Sequence, residues 1–232
     1  MEIADKFGSE QLVNVKASYR LKLWFFSLVI ALIIFGVSYL YYQFSKEGAT
    51  GSRLVSELTA DTGTLLIIIS FLFSPILYFF NFLDRKLIYR KYLGLVGFYI
   101  TLIHIYISVD FAMHNPTISF RDFARVWSFL LGIVAMSLFF QMTILSNDSF
   151  VKIFGSKAQR IYLRLAGYGA LIIVVIHFWL RKSDGWQKWL SGNGVGPVPP
   201  LSFVVLIFSV VVVVLRLLLW LKTSKRTNLP AS

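Results

Sequence analysis

The 232-residue sequence contains no cysteine, three histidines and only eleven acidic residues. Without cysteine there can be no structural disulfide, no thiolate-ligated iron–sulfur cluster and no covalently attached c-type haem. Long polar stretches are also lacking. Between its apolar runs the chain has only short tails and loops of about 8 to 20 residues, too little for a soluble catalytic domain. No Walker-type loop, zinc-ligand spacing or nucleophile elbow occurs. The glycine-rich run Gly192-Asn193-Gly194-Val195-Gly196-Pro197 does not follow a strand of a βαβ unit. It reads as a turn-rich connector and not as a dinucleotide fingerprint.

What the chain has in abundance is apolar surface. Hydrophobic residues make up 57%, with 22 phenylalanines, and the mean hydropathy is +0.71. Six apolar runs are near or above the length of about 20 residues that spans a bilayer: Leu23–Phe44, Thr64–Leu83, Leu93–Phe111, Trp127–Leu145, Leu163–Leu180 and Leu201–Leu221. The expected fold is an all-α integral membrane protein, a six-transmembrane-helix bundle over residues 23–221, with tails at 1–22 and 222–232. The first run is too long for a signal peptide and no small-residue cleavage site follows it, so it reads as a retained anchor. No internal repeat of the kind that marks secondary transporters is evident.

Charge sets the expected orientation. Six crossings put both termini on one side. Sixteen Lys and Arg lie on that side and seven on the other, so the positive-inside rule predicts cytoplasmic termini in a cell inner (plasma) membrane. Trp24 and Trp220 would mark the inner interface, and Trp127, Trp179, Trp186 and Trp189 the outer one. The net charge of +12 concentrates on one membrane face, where anionic lipid attracts it; no nucleic-acid partner is expected. The segment Arg85–Lys91 is a candidate docking site for an acidic cytosolic partner.

The histidines carry the functional reading. His104 and His177 both sit inside apolar spans, where an ionisable group is costly and marks a functional candidate. Spans three and five run in the same direction. Fourteen residues separate Arg90 from His104, about 21 Å of helix, and thirteen separate Arg164 from His177, about 20 Å. Both imidazoles are therefore expected at one level in the outer leaflet, the arrangement for a metal cofactor held between two helices. With no cysteine, the natural candidate is a b-type haem with His104 and His177 as axial iron ligands. Arg181, one turn after His177, is a candidate propionate partner. Phe98, Tyr99, Tyr106, Phe178 and Trp179 are candidate walls, and Gly94, Gly97, Gly167 and Gly169 permit close approach of helices or of a flat ring. The alternative for each histidine is a hydrogen bond to a neighbouring helix. His114, beside Asn115-Pro116, is expected outside the membrane.

From Thr62 onward the chain resembles the ferric-reductase-like transmembrane family, and within it the haem-binding membrane subunit of bacterial periplasmic methionine-sulfoxide reductase systems. The resemblance rests on Thr62-Gly63, Arg90-Lys91-Tyr92-Leu93-Gly94-Leu95, Phe98-Tyr99, His104, Tyr106, Asp110 and His177-Phe178-Trp179-Leu180-Arg181-Lys182. It covers residues 61–182, about half of the chain. It implies an electron-transfer subunit of an oxidoreductase system. Electrons would pass from a cytoplasmic flavoprotein or from quinol to an outer-face acceptor protein, with His104 and His177 at the family's ligand positions. The nicotinamide and flavin domains of larger members are absent.

One departure stands out. Where the family has a further histidine in a Leu-His pair, 13 residues before the second ligand, this chain reads Leu163-Arg164. Arginine stays protonated and is a poor iron ligand. An inner second haem thus loses its obvious ligand, which leaves three outcomes: a flavin such as FMN or a quinone bridges the gap to a cytoplasmic donor, a membrane quinol reaches the outer haem itself, or the chain is a divergent member with altered function. Arg164 becomes a snorkelling residue or a partner for a propionate, phosphate or lipid head group, and Arg90 faces the donor or lipid head groups. The rival reading is a haem-free membrane anchor or assembly partner; small-molecule transport has only the span count behind it.

Overall fold

The computed structural model describes residues 17–45, 50–79, 87–114, 123–146, 155–193 and 196–227. These form six α-helices: α1 Ala17–Ser45, α2 Gly51–Phe79, α3 Leu87–His114, α4 Phe123–Leu145, α5 Ser156–Leu190 and α6 Leu201–Thr227. No strand occurs among the described residues. Each helix is long and apolar enough to cross a membrane. The reason is chemical: within a bilayer every backbone N–H and C=O must be satisfied inside its own segment, which a helix does. Large apolar side chains accordingly face outward, among them Leu21, Leu32, Tyr106 and Met113. This is a multi-pass helical membrane protein. The basic loop residues Arg85, Lys86, Arg121 and Lys152 used for the orientation lie outside the described residues.

Two antiparallel hairpins make the centre, α2 with α3 and α4 with α5. In the first, the helices cross at glycine. A Cβ on Gly63 would lie 3.0 Å from the Gly97 carbonyl oxygen, and one on Gly97 would lie 2.9 Å from the Gly63 carbonyl oxygen. Backbone therefore touches backbone, the close approach that small residues permit in membranes. Helix α1 packs on α2 and α3, while α6 packs on α2 and α5. Between the hairpins contact is sparse: among the described residues no Cα of α3 comes within 8 Å of a Cα of α5.

The second helix differs from the expected span. Instead of beginning at Thr64 it starts at Gly51, and its extra turns carry a polar row, Arg53, Glu57 and Asp61, at i, i+4 spacing. Inward-facing partners make these charges tolerable. Glu57 bonds Arg53 at 3.2 Å and Lys182 of α5 at 3.1 Å, and the Tyr42 hydroxyl donates to Asp61 at 2.9 Å. Pro75 lies inside α2 and has no N–H, which leaves the carbonyl of Phe71 without its intrahelical donor. Arg216 of α6 supplies the replacement: its Nε and Nη2 donate to that oxygen at 3.1 and 2.5 Å.

Helix α5 continues ten residues past the predicted end and stops at Leu190. Gly192 there takes φ 78°, in the left-handed region that suits glycine. Trp186 is buried between helices and donates from Nε1 to Ser202 Oγ at 3.1 Å.

Candidate functional site

His104 and His177 are held in the same way by different hairpins. On α3, His104 Nδ1 lies 2.8 Å from the backbone oxygen of Ser56 on α2. On α5, His177 Nδ1 lies 2.7 Å from the backbone oxygen of Ser128 on α4. Each serine hydroxyl adds a contact to the same nitrogen at 3.2 Å. A carbonyl only accepts, so in both rings Nδ1 carries the proton and donates it. In a neutral imidazole that leaves the lone pair on Nε2. Neither Nε2 makes a hydrogen bond to a described residue, and neither is sealed among the buried unpartnered atoms.

The parallel extends beyond the two histidines. Ser56 precedes His104 by 48 residues and Ser128 precedes His177 by 49. With α5 read 73 positions after α3, Tyr89 meets Tyr162, Lys91 meets Arg164, Gly94 meets Gly167 and His104 meets His177. With α4 read 72 positions after α2, Ser70 meets Met142. The contacts follow the same register: a Cβ on Gly94 would strike Ser70, and one on Gly167 would strike Met142. The two hairpins thus share one contact register, offset by 73 positions on α3 and α5 and by 72 on α2 and α4. Transporter-style repeats are often inverted; this parallel one becomes visible only once the serine–histidine contacts supply the offset.

Local packing fixes the rings further. Gly132, one turn after Ser128, lies against His177, where a Cβ would sit 3.5 Å from Cε1 and Nδ1. Phe178 is buried with its ring 6.0 Å from that of His177, and Phe98 is buried on α3. The other candidate walls are not there: Tyr99, Tyr106 and Trp179 are exposed on the outer surface of the bundle. Their helical phase explains it. Tyr106 and Trp179 each lie two residues, about 200°, beyond a histidine and so face away from it.

The two imidazoles lie within electrostatic reach of each other, and Lys182 acts on both. Lys182 is thus the cation that joins the hairpins at this level, through Glu57, whereas Arg181 acts on His177 and is itself exposed. Among the described residues no three His, Asp or Glu side chains converge as a metal-binding group. His114 ends α3, exposed, and bonds Asp110. Arg90 and Arg164 lie at the far end of their helices, away from the histidines. Sequence reasoning missed Ser56, Ser128, Glu57, Lys182 and Gly132. Only the Arg53–Glu57–Asp61 row carried a readable signal, as a polar stripe that continues the apolar helix.

The fold and site together define a six-helix membrane bundle with an intramembrane histidine pair. No protein-family model matches the chain, and no curated protein is similar enough to count as a relative.

Proposed function

We propose that the protein is a membrane b-type cytochrome of the ferric-reductase-like kind, relaying electrons towards an outer-face acceptor through one haem held by His104 and His177. One observation carries this reading: both histidines commit Nδ1 to a main-chain carbonyl of their own hairpin and keep Nε2 for something else. That is the outer-sphere arrangement of metal-bound histidine, in which the second ring nitrogen donates to a carbonyl and fixes tautomer and orientation. A histidine present only for packing has no need of it twice, in two hairpins whose histidine helices stand apart. Two neutral nitrogen donors without a carboxylate suit a metal that brings its own equatorial ligands.

When bound, haem supplies reversible one-electron chemistry. The chain's own residues would then do the rest. Ser56 and Ser128 hold the ligand rings, Gly132 leaves room beside His177, and Lys182 and Arg181 place positive charge where a propionate could be met. Burial and these charges would set the potential. The donor in this reading is a cytoplasmic flavoprotein or membrane quinol, with both termini in the cytoplasm. A second haem is not part of it, since Arg164 stands where its ligand would be.

The test is haem quantitation on detergent-purified protein, with reduced-minus-oxidised spectra of the wild type, His104→Ala and His177→Ala. The reading expects a low-spin b-type spectrum near one haem per chain, lost in both variants. Apoprotein after expression with ample haem would refute it and leave a haem-free anchor.

A further inference from the structure

The helices that hold the two histidines are tied together by very little. Among the described residues no Cα of α2 or of α3 comes within 8 Å of a Cα of α5. Helix α6 packs on both α2 and α5, and towards the end away from the histidines Lys91 Nζ of α3 donates to the Ser146 carbonyl after α4 at 2.6 Å. At the histidine end the crossing is an ion pair: Lys182 Nζ of α5 lies 3.1 Å from Glu57 Oε1 of α2. Glu57 directly follows Ser56, whose backbone oxygen accepts from His104 Nδ1. Lys182 lies five residues after His177 on the same helix. One contact therefore ties the mount of one imidazole to the helix that carries the other.

Glu57 is a braced partner. Its Oε1 also accepts from Arg53 Nε, one turn earlier, at 3.2 Å, and its Oε2 lies 3.5 Å from the Tyr42 hydroxyl of α1. The Glu57 side chain is 15% exposed and that of Lys182 27%, so the pair is partly withdrawn from its surroundings. A lysine near the end of an apolar run has a cheaper course, which is to extend its stem and place the ammonium in interfacial water. A partly buried ion pair adds little net stability, because desolvation offsets the attraction. What it does supply is a fixed distance between two helices that otherwise stand apart.

We propose that Glu57 and Lys182 are positioning residues: their ion pair sets the separation of the two hairpins at the histidine end, and with it the span across which His104 and His177 reach one iron. The separation is a property of the protein alone, whereas its consequence for iron ligation rests on the haem reading.

The experiment uses the full chain in detergent. With no native cysteine, Ile103→Cys and Ile176→Cys, both exposed and each next to a histidine, carry the only spin labels, and pulsed electron resonance reads their distance distribution in the apoprotein. Haem titration and spectra follow on unlabelled protein. The expected distribution is narrow in the wild-type background, longer and broader with Lys182→Met, and restored by Lys182→Arg, which keeps a cation within reach of Glu57. Arg53→Gln removes the other cation from the same carboxylate without cutting the link between hairpins, so it should match the wild type. With haem, Lys182→Met should bind at least about tenfold more weakly, and the haem it retains should shift from low to high spin as one axial ligand is lost. Lys182→Gln is the second variant should Lys182→Met not fold. If the wild type takes up no haem, the haem reading fails and the distances alone decide the pair. An unchanged distance in the Lys182 variant, equal broadening by Arg53→Gln, or unchanged affinity and spin state in a protein that does bind haem would overturn the proposal.

Discussion

Replacing Arg216 by leucine tests how the bundle tolerates a proline near the end of a membrane helix. The substitution removes both donors to the Phe71 oxygen, at 3.1 and 2.5 Å. Pro75 cannot replace them, so a buried carbonyl is left unsatisfied, at about 1–3 kcal/mol. Loss of the cation–π contacts with Phe71 and Tyr168 adds about 0.5–2 kcal/mol. Relief of the buried charge returns part of this, and the net expectation is a loss of about 2 kcal/mol. Pro75→Ala provides the discriminating partner. It restores an N–H at position 75, which can close the intrahelical bond to Phe71 and make Arg216 dispensable for that oxygen. A double-mutant cycle on the four proteins, read by reversible unfolding in mixed micelles, should give a coupling of about 1–2 kcal/mol, with Arg216→Leu milder in the Pro75→Ala background. Additivity within about 0.5 kcal/mol would show that Arg216 does not replace the missing donor.

At Gly132, alanine fits the 3.5 Å approach to His177, whereas leucine must displace the ring; haem content should survive Gly132→Ala and fall in Gly132→Leu. Ser56→Ala and Ser128→Ala keep the backbone carbonyl that accepts from each histidine, so each should lose no more than about 1 kcal/mol and retain the spectrum; loss of haem in both would assign the anchoring to the hydroxyls. Glu57→Gln leaves the Lys182 charge uncompensated beside the histidines, and potentiometric titration should find the midpoint raised by tens of millivolts. Gly63→Leu cannot be accommodated where a Cβ already lies 3.0 Å from the Gly97 carbonyl; the hairpin should open, with a stability loss of about 3 kcal/mol measured in the same micelle assay.

How much of this was legible in the sequence depends on period and distance. Six apolar runs are visible by length alone, because spanning a bilayer imposes a composition on each helix independently of its neighbours. The expectation that His104 and His177 share one level came from counting residues along two helices. What could not be read was anything that depends on which helices touch. Ser56 and Ser128 contribute through main-chain oxygens, which no side-chain pattern marks. Lys182 outranks Arg181 as the link between hairpins because helical phase and the position of Glu57 on another helix decide it. Tyr99, Tyr106 and Trp179 were assigned to the site from proximity in sequence, and their phase turns them outward.

The parallel between the hairpins sharpens what the histidine level is for. There the two hairpins present the same apparatus, a histidine with a serine carbonyl behind it, and the position of Gly132 beside His177 corresponds in register to Ala60. Towards the other end they differ. Ser70 stands where the second unit has Met142, and Arg90 stands where it has Leu163. A ligand that needs one kind of contact from each side equally explains the first pattern. The proposed haem, which would be met by one histidine from each hairpin, is a ligand of that type. The likeness of the hairpins is thus kept at the histidine end of the bundle and lost at positions 70 and 90 towards the other.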